Sequence, residues 1–271
     1  MTQAAVRIVV SGAGGRMGSR IINLALAQPE RFKLFAATER ADSPLIGEDA
    51  GVVAGAKPAG VKIAAEFHAA ADVLLDFSSP AGVRAMLQHC VRGKMAMLIG
   101  TTGLTPDDQL SIDAASRSIA VLQTGNTSLG VHVLLQIVAE AARRLGPNYD
   151  VEIVEKHHNL KKDAPSGTAL SLAEAIGRAI PACRENPEAA LVHGRHGPDT
   201  LRRSGTIGMH ALRMGDVVGE HTVYFAAPGE RMELTHVATT RDTFARGALR
   251  AAEFLAGKKP GRYSMAHVLE I

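Results

Sequence analysis

The chain has 271 residues, 46% hydrophobic and 21% charged, an ordinary globular composition for one large domain or two modest ones. No apolar run approaches the roughly 18 residues of a membrane span, the start MTQAAVRIVVSG lacks the pattern of a secretory leader, and Cys90 and Cys183 form neither a disulfide framework nor a Cys-based zinc site, so a cytoplasmic setting without membrane contact is expected. Thirty basic and 27 acidic side chains leave +3, scattered rather than clustered, with no Trp and 4% aromatic residues, which argues against nucleic acid and for a small anionic ligand.

Short apolar runs alternate with helix-like segments through the first half. Val6–Val10 predicts a buried strand, residues 16–27 a helix with Met17, Ile21, Leu24 and Ala25 on one face, and Phe32–Thr38 a second strand. Further strands are expected at Val73–Phe77, Met95–Ile99 and Ile119–Gln123, with helices starting at Pro80 and Thr105. Such alternation predicts a parallel sheet covered on both faces, a Rossmann-type α/β domain. The second half changes character. A long helix over Leu129–Leu145 stops at Gly146-Pro147, Val151–Glu155 is a strand leading into His157-His158, and Gly167–Ala179 is a helix. Residues 181–204 predict a mobile loop, followed by strands at 205–213, 216–226 and 231–239 and a last helix over 242–256. Consecutive strands predict an α+β domain with a mixed or antiparallel sheet. The expected division is 1–128, completed by 239–271, for one domain and 129–238 for the other.

Ser11-Gly12-Ala13-Gly14-Gly15-Arg16-Met17-Gly18 links the first strand to the first helix, with glycines at 12, 15 and 18. Gly12 serves a tight turn, Gly14 and Gly15 a close backbone approach to a pyrophosphate, and Gly18 the packing of helix on sheet. The helix start then offers N–H groups and a positive dipole end to the phosphate, with Arg16 as an added cation. About 20 residues on, Glu39 is placed to accept from a ribose 2′-hydroxyl and Arg40 to pair with a 2′-phosphate, so NADH and NADPH are both expected to serve. Purely structural glycines and an exposed turn are the plain alternatives. Gly100-Thr101-Thr102-Gly103 and Gly125-Asn126-Thr127-Ser128 follow strands whose ends open onto such a ligand, although taken alone they are ordinary loops.

The most informative stretch runs from Glu155 to Thr168. It places His157 and His158 beside Lys156, Lys161 and Lys162, then turns through Pro165-Ser166 into a helix at Gly167-Thr168. Imidazole exchanges protons near neutral pH, lysine holds carboxylates or donates a proton, and a helix start seats an anion. A solvated charge run is the plain alternative. A zinc site is disfavoured, since no third ligand with metal spacing is near, and no metal is expected.

GAGGRMG near the start, GTTG in the middle and HHxxKxDAPSGTA in the second half together resemble the 4-hydroxy-tetrahydrodipicolinate reductase (dihydrodipicolinate reductase) family, over essentially the whole chain. The resemblance implies a cytoplasmic homotetramer joined through the second domain's sheet, NADH or NADPH as hydride donor, and a cyclic dicarboxylate with a C=N bond as substrate, reduced with loss of water in lysine and diaminopimelate biosynthesis. It implies His157 as general acid/base and Lys161 as proton donor. His158, Gly167 and Thr168 are the implied substrate ligands. The implied cofactor contacts are Gly12, Ala13, Gly14, Gly15, Arg16, Met17, Glu39, Arg40, Gly100, Thr101, Thr102, Thr124, Gly125, Asn126 and Thr127. Many members carry an aromatic where this chain has Thr127. Two rival readings remain. A semialdehyde dehydrogenase needs a nucleophilic cysteine, and neither Cys90 nor Cys183 has an activating base nearby in sequence. A dinucleotide-sensing regulator has no use for His157 and Lys161.

Overall fold

The computed structural model describes residues 4–68, 71–180 and 190–271. The chain forms two compact units, one made by the chain up to Leu129 with Arg241–Glu270, the other by Gly130–Thr240. Among the described residues no helix is long and apolar enough to cross a membrane.

Seven parallel strands build the first unit: β1 (Val6–Ser11), β2 (Phe32–Thr38), β3 (Ile63–Ala64), β4 (Val73–Asp76), β5 (Ala96–Ile99), β6 (Ala120–Gln123) and β12 (Gly261–Tyr263). Their order is β12-β6-β5-β4-β1-β2-β3. Because side chains alternate across a strand, each apolar run feeds two cores. Ile8, Val10, Val73, Leu75, Leu98 and Leu122 pack with Ile21, Ile22 and Ala25 of α1 (Arg16–Leu26) and with Ala248, Leu249 and Leu255 of α7 (Asp242–Leu255). Val9, Leu74, Met97, Ile99 and Val121 pack on the other face with Val83 and Leu87 of α3 (Pro80–Gly93) and Ile112 of α4 (Pro106–Ser116). Strands buried on both faces in this way read as continuous apolar runs, which is why the sequence reading locates β1, β4, β5 and β6 to within a residue or two. It does not anticipate β3, β12, α2 (Ala50–Val53) or α8 (Met265–Leu269), none longer than five residues.

The second unit holds five strands in the order β11-β10-β7-β9-β8. These are β7 (Asp150–His157), β8 (Leu191–His193), β9 (Ile207–Arg213), β10 (Gly219–Ala227) and β11 (Glu230–Ala238). The sheet is mixed: β10 runs antiparallel to β7 and β11, while β9 runs parallel to β7 and β8. One face carries Val151, Ile153, Ile207, Met209, Val223 and Phe225 against α5 (Leu129–Leu145) and α6 (Gly167–Gly177). Two expectations change. His157 is the last residue of β7 rather than following it. Residues 191–193, expected within a mobile loop, form the edge strand β8, held by pairing with Ile207–Met209. Residues 181–189 of that expected loop, with Cys183, lie outside the described residues.

Candidate active site

In the first unit the candidate cofactor loops leave the C-terminal ends of β1, β2, β5 and β6, where a parallel sheet presents its ligand side. Gly12 adopts φ +78°, and a Cβ there would sit 2.5 Å from the Phe77 carbonyl oxygen, so the turn admits only glycine. At Gly18 a Cβ would meet the Gly12 carbonyl oxygen at 2.0 Å. The glycine therefore lets α1 close on the turn that leaves β1.

The N-terminus of α1 fits an anion. Its N-cap, Gly15, supplies no side-chain cap, and the first turn holds no acid. By contrast Asp49, Ser79, Thr105 and Ser166 cap α2, α3, α4 and α6 with their own oxygens. Arg16 is exposed on that first turn, while Ala13 is buried and Met17 half-buried. Glu39 accepts a hydrogen bond from the Gly14 N–H at 2.9 Å, tying the end of β2 to the glycine loop. Arg40 pairs with Asp42 at 3.2 Å, both side chains about three-quarters exposed.

Several expected contacts turn out to be partly committed to the fold. The Thr101 hydroxyl donates to Asp76 at 2.6 Å and accepts from the Ser78 N–H. Thr127 is buried and donates to the Phe244 carbonyl at 2.7 Å, so it cannot present a side chain as an aromatic would. Thr124 bonds the Asn126 backbone on both sides, and the Asn126 carboxamide oxygen accepts from the Ser128 N–H. Gly100, against the Phe77 ring, Thr102 and Gly125 offer backbone. Asp76, which the sequence reading passes over, is fully buried and gathers Thr101, Ser78 and Ser11. Burial pushes its carboxyl above the usual range, against those hydrogen bonds.

In the second unit, the row of β7 that faces α5 and α6 changes character along its length. Val151 and Ile153 give way to Glu155, only 1% exposed, and His157, 9% exposed. Nδ1 of His157 lies 2.5 Å from Glu155 Oε2. Arg213, opposite His157 on β9, grips both carboxylate oxygens at 2.9 Å. The Ser166 N–H donates to Oε1 at 3.0 Å. Burial works to raise the Glu155 carboxyl, but Arg213 and then His157 outweigh it and hold it below the usual range. Burial pushes the His157 imidazole down, opposed by Glu155.

His221, opposite Glu155 on β10, is buried with Nε2 3.0 Å from the Ser166 hydroxyl. Its ring stands edge-on to His157 with centroids 5.2 Å apart. Burial first, and the nearby His157, lower it to about 4.

The remaining predicted residues sit in the loop from β7 to α6. His158 is half-buried, and Lys161 Nζ holds both oxygens of Asp163 at 2.8 Å. Gly167 is exposed and Thr168 half-buried at the start of α6, whose cap Ser166 accepts from the Ala169 N–H. Glu155, Arg213, Ser166 and His221 were not anticipated as site residues. Strand alternation through Val151 and Ile153 carried the signal for Glu155, since it puts an acid at a core position. Among the described residues no three or more His, Cys, Asp or Glu are arranged to hold a metal. Cys90 is fully buried and its thiol is pushed well up by burial, so it is no nucleophile.

Residues 6–127 match the family profile "Dihydrodipicolinate reductase, N-terminus", and residues 130–269 match "Dihydrodipicolinate reductase, C-terminus". A 4-hydroxy-tetrahydrodipicolinate reductase of Anaeromyxobacter dehalogenans is 49% identical over 270 residues, 97% of either chain. One from Syntrophotalea carbinolica is 45% identical over 267 residues, 97% of this chain and 98% of the relative. Among solved structures, a dipicolinate-bound dihydrodipicolinate reductase from Paenisporosarcina sp. TG-14 shares the fold with a TM-score of 0.75 at 22% identity, covering 97% of this chain and 98% of that one.

Proposed function

The chain belongs to the dihydrodipicolinate reductase family, and from that premise we propose how its residues divide the work of the reaction. The protein is an NAD(P)H-dependent oxidoreductase. It reduces 4-hydroxy-tetrahydrodipicolinate to tetrahydrodipicolinate, with loss of water, in lysine and diaminopimelate biosynthesis. NADH or NADPH, when bound, supplies the hydride. The proton is the business of this chain's own residues.

The uncapped start of α1 holds the pyrophosphate through the first N–H groups of the helix, with Arg16 adding charge, while Gly12–Gly15, whose own N–H groups bond Thr38, Glu39 and Gly12, leave room for its close approach. Glu39 and Arg40 read the adenosine ribose. Gly100, Thr101 and Thr102, with Thr124 to Thr127, hold the nicotinamide half mainly through backbone. In the second unit His158, Lys161, Gly167 and Thr168 hold the carboxylates of the substrate. Left without cations or N–H partners, those carboxylates would pay a heavy desolvation penalty. His157 delivers the proton that accompanies hydride addition, and Lys161 is the second proton donor.

The observation that carries this reading is the His157–Glu155 pair, 2.5 Å apart and buried at the end of β7, with Lys161 and the start of α6 in the chain immediately following. A solvated charge run does not bury a histidine against a carboxylate clamped by an arginine. The chain works as a cytoplasmic homotetramer joined through the second unit's sheet. Exposed Leu212 and Val237 on the face away from α5 and α6 support that assembly. The test is turnover of the upstream enzyme's product followed by NAD(P)H absorbance. His157→Gln should lower kcat by about 10²–10⁴-fold with a much smaller change in KM. Wild-type kcat in that variant removes His157 from its role.

A further inference from the structure

An acid on the buried row of a strand is costly unless every lone pair is met. Glu155 is met on all sides. His157 Nδ1 and Arg213 Nη1 lie on Oε2, at 2.5 and 2.9 Å. Arg213 Nη2 and the Ser166 N–H lie on Oε1, at 2.9 and 3.0 Å. The same Nη2 also donates to the Asp163 carbonyl at 2.6 Å, so one guanidinium secures both the carboxylate and the loop that leads to α6.

Two consequences follow from this geometry. An ionised carboxylate only accepts, so the imidazole nitrogen facing it must carry hydrogen. That leaves Nε2 as the nitrogen free for chemistry. Its neighbour on β10 is Gly219, where a Cβ would stand 3.2 Å from Nε2, so the missing side chain keeps this nitrogen uncrowded. The other oxygen of Glu155 fixes Ser166. Ser166 caps α6 through the Ala169 N–H, and its hydroxyl also meets His221. The orientation of His157 and the start of α6 thus depend on one carboxylate.

We propose that Glu155 is a positioning residue for the reduction: clamped by Arg213, it keeps His157 protonated at Nδ1, so that the imidazolium gives up its proton from Nε2 and is left as the Nδ1–H tautomer, and through Ser166 it sets the α6 N-terminus that seats a substrate carboxylate. This rests on the reading of His157 as the proton donor and of Gly167-Thr168 as substrate ligands.

Nitrogen-15 NMR of the histidine rings, on the full-length protein without substrate, reads the tautomer directly. Above the His157 midpoint the wild type should show Nδ1 protonated and Nε2 bare. Glu155→Gln offers either an oxygen or an NH₂ to the ring and should mix the tautomers. It should also cut kcat about 10–100-fold, the span seen when a metal-bound histidine loses its outer hydrogen-bond partner. The groups facing His157 are Glu155 on β7, Arg213 on β9, His221 on β10 and Lys161 in the following loop. Glu155 is the one among them that favours the imidazolium, so the His157 midpoint in Glu155→Gln should move down. Glu155→Asp keeps the charge on a shorter arm, and should retain more of both the midpoint and kcat. It serves as the second variant should the glutamine protein not fold.

A neutral wild-type ring, above the midpoint, that carries its hydrogen on Nε2 instead of Nδ1 overturns the proposal without any variant. So does a Glu155→Gln protein with unchanged kcat and unchanged midpoint. His157→Gln, assayed alongside, separates the two layers. If it keeps wild-type kcat, the premise fails and the proposal with it; if it is crippled while Glu155→Gln is normal, only the proposal fails.

Discussion

Glu39 has two partners to serve, and that makes cofactor choice a sharp test. Its carboxylate accepts from the Gly14 N–H at 2.9 Å, in addition to any ribose hydroxyl. Glu39→Ala would therefore remove the ribose acceptor and also strand the N–H that anchors the glycine loop, so both cofactors should suffer. Glu39→Gln is the cleaner perturbation. It keeps an oxygen for Gly14 but exchanges charge-assisted bonds, worth about 1.5–3 kcal/mol, for neutral ones of about 0.5–1.5. A loss of about 1.4 kcal/mol is tenfold, so kcat/KM for NADH should fall roughly tenfold. NADPH should hold or gain, because the repulsion on its 2′-phosphate is gone. Arg40 has only an exposed pairing with Asp42, worth little to the fold. Arg40→Ala should leave stability and NADH nearly untouched and lower kcat/KM for NADPH about tenfold. The wild type, with both arms opposed, should use the two cofactors within about tenfold of each other. The assay is steady-state NAD(P)H oxidation with both cofactors for all three proteins. The reasoning is refuted if the two substitutions move the NADH/NADPH ratio in the same direction, or if neither moves it.

Lys161→Ala should raise KM and lower kcat together, and steady-state kinetics with both values normal would take Lys161 out of the site. Acid should destabilise the second unit through His221, whose ring titrates at 6.5 in the unfolded chain and about 4 in the fold. The depressed midpoint means its contribution is complete above pH 6.5 and is lost as pH falls from 6.5 to 4, about 3 kcal/mol in all; urea melts at pH 7 and 4 should show a smaller acid loss in His221→Gln, and an identical loss would contradict the assignment. Asp76→Ala strands the donors of Thr101 and Ser78, each costing about 1–3 kcal/mol. It should lower Tm and raise the cofactor KM, and a normal KM in a stably folded variant would show that Asp76 does not shape the cofactor loops.

How much of this was legible depends on what kind of force makes each element. The long strands and helices of the first unit show because burial on both faces demands unbroken apolar runs, which glycine and proline then punctuate. The Ile63–Ala64, Leu191–His193 and Gly261–Tyr263 strands are two or three residues long. They exist by pairing with a neighbour already in place, and no local pattern announces that. The helix at Ala50–Val53 is likewise held by one side chain, Asp49, which collects the N–H groups of Gly51, Val52, Ala59 and Gly60. The chemistry of His157, His158 and Lys161 was visible as a local cluster. Arg213 and His221 reach it only through strand register, from much later in the chain, and sequence alone does not supply register.

Two glutamates on β7 show why partner lists do not identify a site. Glu152 is held by Arg195, Arg202 and His210, and Glu155 by Arg213, His157 and the Ser166 N–H. In VEIVEKH both are acids among apolar neighbours, and only alternation separates them: Glu155 shares a row with Val151 and Ile153, Glu152 with Val154 and Lys156. The fold places them on opposite faces. Glu152 is 24% exposed and its ion pairs are screened, so they steady a surface at modest gain. Glu155 is 1% exposed, where charge is weakly screened and an unmet lone pair is expensive. A carboxylate in that position is retained only if its partners stay in place, and this rigidity is what a proton donor needs behind it. The distinction between a surface clamp and a positioning residue thus comes from the parity of three residues along one strand.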